Sequence, residues 1–128
     1  MSAKGTFEVD LQPQADADSP AGRMIINKTY TGDMIGSGKG QMISKSTEDG
    51  TAVYYAVEEF SGSVNGRNGA FTLIHKGQMG KETQALDVEI LDGSGSGELK
   101  NICGSLAINQ DSNGHTYELM YKLQGARV

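Results

Sequence analysis

Residues 54–75 read YYAVEEFSGSVNGRNGAFTLIH, two alternating runs on either side of a centre rich in glycine and asparagine. Period-two alternation over runs of this length is the pattern of half-buried β-strands. The centre, Asn65-Gly66-Arg67-Asn68-Gly69, supplies residues that accept the positive φ of a tight hairpin. The stretch is therefore read as a strand over 51–64 returning through a strand over 70–77. With an even-numbered loop, even positions before the turn share a face with odd positions after it. Tyr54, Ala56, Glu58, Phe60 and Val64 then lie with Phe71, Leu73 and His75. That face is mostly apolar, so it is taken as the inward one. Glu58 and His75 are its ionisable members, on adjacent strands and within one diagonal step. A buried carboxylate needs a partner, and the two fit either a site or a satisfied structural pair.

The same alternation recurs outward from this hairpin. Phe7, Val9 and Leu11 share a face in 6–11, and further strands are expected over 23–31, 41–45, 86–90, 98–103, 105–110 and 115–123. Residues 12–22, with Pro13 and Pro20, form an irregular stretch. Gly32, Gly36, Gly38 and Gly40 are read as corners of a curled sheet, and 93–97 as a flexible turn. No window supports an amphipathic helix of three turns. The expected fold is all-β: one domain over 1–128, a closed antiparallel β-barrel of about eight strands in meander order, calycin-like in outline, with a β-sandwich as the alternative. A closing hairpin centred on Asn113-Gly114 sets Leu106 and Ile108 beside Tyr117, Leu119 and Tyr121. In it, Tyr117 and Tyr121 offer hydroxyls to the interior, and His115, next to the turn, is expected to be exposed.

Composition narrows the function classes. Glycine is 18 of 128 residues, about 14% against a usual 7% or so, without the period of collagen. Eleven basic residues face sixteen acidic ones, a net charge of −5, and the basic residues form no run. Nucleic-acid binding is not expected. The longest apolar stretches, such as Met24-Ile25-Ile26, are too short to span a membrane as a helix, and the N-terminal residues lack the apolar core of a signal peptide. A single cysteine, Cys103, points to a reducing cytoplasm.

Several motifs resemble functional loops without fitting them. Gly36-Ser37-Gly38-Lys39-Gly40 lacks the spacing and the hydroxyl residue of a phosphate loop. Asp16-Ala17-Asp18-Ser19-Pro20 starts like a calcium loop, but Ala21 stands where glycine is needed. His75, His115 and Cys103 have no metal-ligand spacing, so no metal site is expected, and no cofactor.

Residues 54–75, with YTGDMIGSGKG at 30–40, SGSGEL at 94–99 and HTYELMYKL at 115–123, resemble a bacterial family of unknown function, DUF3224. The resemblance runs from about Arg23 onward, with Ser96 where the family usually has threonine and Ala70 where it often has serine. It implies a barrel similar to that of allene oxide cyclase and dirigent proteins, and no established activity. The matching positions include Glu58, Arg67, His75, Glu98, His115 and Tyr117; Arg67 and Glu98 are expected to pair at the barrel rim. Three functions are carried forward. One is binding of a small apolar molecule by Tyr54, Phe60, Phe71, Leu73, Tyr117 and Tyr121. Another is an isomerase or cyclase like allene oxide cyclase, in which Glu58 is the base or charge stabiliser and His75 its partner. The last is an interaction module with a packed interior. A homo-oligomer, a dimer first, is expected from outward apolar residues such as Val53, Val57 and Ile74.

Overall fold

The computed structural model describes residues 1–14, 20–80, 84–111 and 114–123. Its strands are β1 (Ser2–Gln14), β2 (Gly22–Gly32), β3 (Met34–Ser46), β4 (Ala52–Val64), β5 (Arg67–Met79), β6 (Gln84–Ile90), β7 (Ser96–Gly97), β8 (Ile102–Asp111) and β9 (Gly114–Leu123). All neighbours pair antiparallel. The sheet runs β4-β3-β2-β1-β9-β8-β6-β5, and β4 pairs with β5 to close it into an eight-stranded meander barrel. β7 is a two-residue stub on β5. No helix among the described residues is long and apolar enough to cross a membrane.

The central hairpin turns on Asn65-Gly66, the tightest of the centres its sequence allows. Val64 pairs with Arg67, and φ is +49° at Asn65 and +84° at Gly66, the left-handed pair that a two-residue hairpin of this twist requires. Asn65 also fastens the barrel end, its Nδ2 donating to the Tyr121 hydroxyl at 2.7 Å and to the Ser2 carbonyl at 3.0 Å. In the β8–β9 hairpin, Leu106 faces Leu119 and Ile108 faces Tyr117. The register differs by one pair from a turn on Asn113-Gly114, because Asp111 pairs with Gly114. Facing is unchanged, since the shift is two residues.

Three expected elements are corrected. β3 is thirteen residues long rather than the five of 41–45, and Gly36, Gly38 and Gly40 lie inside it. Residues 12–14 belong to β1, where β2 is the paired neighbour and Pro13 faces Met24; Asp16 to Ser19 lie outside the described residues. Residues 98–101 are consecutive turns, not strand: the Leu99 N–H donates to the Ser96 carbonyl and the Ile102 N–H to the Leu99 carbonyl. Asn101, at φ +70°, breaks the extended chain there. Leu99 is thereby turned into the barrel end and fully buried.

The barrel interior has two halves. The half near the β4–β5 turn is packed solid by Met34, Phe60, Val64, Phe71, Leu73, Leu99, Ile102 and Leu119. Aromatic rings link its layers: Tyr30 meets Phe60 edge-on at 5.3 Å and Tyr117 at 5.5 Å, and Phe60 lies 5.0 Å from Phe71. Tyr117 ties this half to the β2–β3 turn. Its hydroxyl accepts from the buried Met34 N–H at 2.8 Å and donates to the Thr31 carbonyl at 2.8 Å. Tyr117→Phe leaves that N–H without its acceptor, so unfolding free energy is expected to fall by about 1–3 kcal/mol in urea titration, with the circular dichroism spectrum unchanged.

Candidate functional site

At the opposite end the described residues leave the barrel open. A cup of about 700 Å³ descends from the mouth, walled by Phe7, Val9, Ile26, Met42, Ala56 and Ile108. Gln84, Asn109, Gln110 and His115 edge it, and Lys28 and His75 come up at its floor. The site is built on residues of β1 to β6, β8 and β9.

Beneath the floor lies Glu58, with no exposed surface. Oε1 accepts from Lys28 Nζ at 3.0 Å and from His75 Nε2 at 2.8 Å, and Oε2 accepts from the Tyr30 hydroxyl at 2.5 Å. An ionised carboxylate has no proton to give, so His75 carries its hydrogen on Nε2. Lys28 is itself buried at 7% exposure and lies 4.7 Å from the Phe7 ring centroid and 5.8 Å from that of Tyr30, two cation–π contacts that hold its charge away from water. Phe7 in turn stacks on His115 at 5.0 Å.

Lys28 and Tyr30 are on β2 and Glu58 is on β4, with β3 between them. Alternate strands of a sheet lie about 10 Å apart, and side chains on the intervening strand normally keep them separate. Here β3 presents Gly38 and Gly40 inward: Gly38 faces Lys28 on one side, and Gly40 faces Glu58 on the other. A Cβ on Gly38 would meet Glu58 Oε2 at 2.0 Å and Tyr30 Cε1 at 3.1 Å. The bare stripe on β3 is what lets β2 and β4 join their side chains across it.

The electrostatics follow from this packing. Burial alone pushes the Glu58 carboxyl up. The His75 N–H, the Lys28 charge and the Tyr30 hydroxyl together more than offset it and hold its pKa down at about 2. Burial, and then the Glu58 charge, push the Tyr30 hydroxyl far above its usual range. Because the folded pKa of Glu58 lies below its ordinary 4.5, its contribution to stability is whole above about pH 4.5. It is lost as pH falls toward 2. The gap is worth about 3 kcal/mol. Urea unfolding at pH 6 and at pH 2.5 is expected to show this loss in the wild type and its absence in Glu58→Gln.

A family model described as "Protein of unknown function (DUF3224)" matches residues 3–121. The chain belongs to DUF3224. A crystal structure at 1.84 Å of a DUF3224 protein with unknown function from Shewanella oneidensis MR-1 is 32% identical, covers 98% of each chain and superposes with a TM-score of 0.91. Among curated proteins none matches. The meander barrel agrees with the allene oxide cyclase-like architecture that the family resemblance implies.

In this DUF3224 chain Glu58 and His75 meet, as strand parity places them. Of the six expected ligand contacts, Tyr54 lines the cup. Phe60, Phe71, Leu73, Tyr117 and Tyr121 instead fill the packed half, where Leu99 and the hydroxyl partners of both tyrosines close the space. His115 is half-buried rather than exposed, because its ring lies on Phe7. Arg67 and Glu98 do not pair. Glu98 Oε1 accepts from the Asn68 backbone N–H at 3.0 Å, held there by the turn at 98–101, while Arg67 faces solvent. Lys28, Tyr30 and Gly38 escaped the sequence reading, although Ile26, Lys28 and Tyr30 share one strand face and Gly36, Gly38 and Gly40 repeat at period two. Among the described residues no three of His, Cys, Asp and Glu gather as a metal site.

Proposed function

We propose that the open half of the barrel binds a small, mostly apolar molecule. The observation that carries this is the cup itself: about 700 Å³, apolar along its walls, with two polar side chains at its floor. Binding pockets for small molecules are of this size and make-up. Among the described residues, packing fills one half of the barrel and stops at Glu58. Native mass spectrometry of freshly purified protein and thermal-shift screening of apolar metabolites test it. A bound ligand at a hundred times its Kd is expected to add about 2.7 kcal/mol of stability. Neither a copurified molecule nor any stabilisation across the screen would remove the reading.

A second reading, an isomerase or cyclase, is favoured by one feature. The cup is floored by the Lys28 ammonium, whose charge is fixed from behind by a buried carboxylate, beside the His75 ring. Held well below the usual carboxylate range, Glu58 is a weak base. In this reading it is the charge stabiliser, and His75 and Lys28 are the groups that meet substrate. Full turnover of an identified substrate by Glu58→Gln would withdraw that role. Self-association is proposed through Ile43, Tyr55 and Val57, exposed outward and adjoining across the β3–β4 ladder; a monomer in light scattering at high concentration would exclude it. Cytoplasmic residence is proposed from the single cysteine.

A further inference from the structure

We infer that Lys28 is the polar anchor of the cup, and that the molecule it receives carries an uncharged carbonyl oxygen, as in a ketone, ester or lactone, on an apolar body. This rests on the cup being a binding site. An ammonium has three N–H donors. Among the described residues Lys28 Nζ has one hydrogen-bond acceptor, Glu58 Oε1 at 3.0 Å. Its other neighbours are the faces of Phe7 and Tyr30, which steady the charge but do not replace an oxygen acceptor. Lys28 lines the cup, whereas Glu58, at 0% exposure, lies beneath it. A molecule entering the cup therefore meets the cation and not the anion.

Charge balance selects the kind of oxygen. Lys28 and Glu58 already neutralise each other. A ligand carboxylate would set a second anion beside the same ammonium in a site of low dielectric, and a ligand amine would meet the ammonium head-on. A hydrocarbon would leave the spare N–H donors unmet. A neutral carbonyl accepts from Lys28 and adds no charge. Phe7, which lines the cup, stacks on His115 and carries Lys28 Nζ over its ring at 4.7 Å, so apolar surface lies next to that donor.

The test compares four nine-carbon-chain probes in calorimetric titration: 2-nonanone, its isostere 2-methyl-1-nonene, nonanoate and nonylamine. The wild type is expected to bind the ketone about tenfold more tightly than each of the others. The infrared C=O stretch of bound 2-nonanone is expected to lie below its position in hexane. Lys28→Met alone leaves Glu58 buried without its cation, so the comparison uses Lys28→Met/Glu58→Gln, which removes both charges together. There the ketone is expected to fall to the affinity of the alkene, with the C=O band back at its hexane position and alkene binding kept. A ketone no tighter than the alkene, or nonanoate binding tightest, overturns the inference while leaving the cup as a binding site. Binding of none of the four overturns the inference, and the cup as a binding site falls with it if native mass spectrometry and the thermal-shift screen are also negative.

Discussion

Glu58→Gln is expected to lower unfolding free energy by about 3–5 kcal/mol at pH 7, and adding Lys28→Met is expected to restore most of it. Glutamine has nearly the shape of glutamate and keeps an oxygen toward Lys28 and His75. Its amide can even donate to the Tyr30 hydroxyl. What it removes is the charge. Lys28 is 7% exposed and among the described residues its one ionic partner is Glu58, so the variant leaves an ammonium buried without a counter-ion. Breaking a buried ion pair from one side costs several kcal/mol because of the charge left behind, whereas replacing both members by uncharged groups of similar volume is often close to neutral. The order of stabilities, wild type near the double variant and both far above Glu58→Gln, is the observation that separates charge compensation from simple packing. Equal losses in the single and double variants would assign the cost to shape. Chemical denaturation followed by far-ultraviolet circular dichroism suffices, since the chain has no tryptophan.

The barrel and half of this cluster are legible in the sequence because both depend on a period of two. Glu58 and His75 fall on one face for any even-numbered turn between 64 and 70, and the ladder uses such a turn. Lys28 is harder to see. Its face is visible from Ile26 and Tyr30, but its partner is two strands away, and nothing local says that the strand between them is bare. From sequence the glycines of β3 read as corners, because glycine inside a strand marks a bulge or a bend. Their use here is steric: a side chain at Gly38 would occupy the place of a carboxylate contributed by residue 58. The division of the interior into packed and open halves was hidden for another reason. Apart from Lys28, Glu58, His75 and the glycines of β3, the inward residues of both halves are mostly apolar, so composition does not mark where filling stops. Leu99 helps decide it, and Leu99 sits in a turn that alternates like a strand until Asn101 takes a positive φ.

Gly38→Ala is expected to cost about 3 kcal/mol, at the upper end for one added methyl group, and its cost is expected to shrink sharply in a background lacking the Glu58 carboxylate. The new Cβ would stand 2.0 Å from Glu58 Oε2. A surface side chain would swing aside, but this carboxylate is fully buried and held by Lys28, Tyr30 and His75. Moving it lengthens three charge-assisted hydrogen bonds at once. Tyr30 Cε1, at 3.1 Å from the same point, blocks the other direction. In Glu58→Ala the carboxylate is gone and the alanine methyl at 38 enters the vacated space. The two substitutions should then be less than additive by about 1–3 kcal/mol in a double-mutant cycle, the range for residues in direct contact. Gly50 is the control: its Cβ position is open, although its φ of +95° carries a backbone penalty of its own, so Gly50→Ala should combine additively with Glu58→Ala. Additivity at position 38 as well would mean that glycine there serves the backbone of β3. A coupling confined to position 38 would mean that it serves the carboxylate.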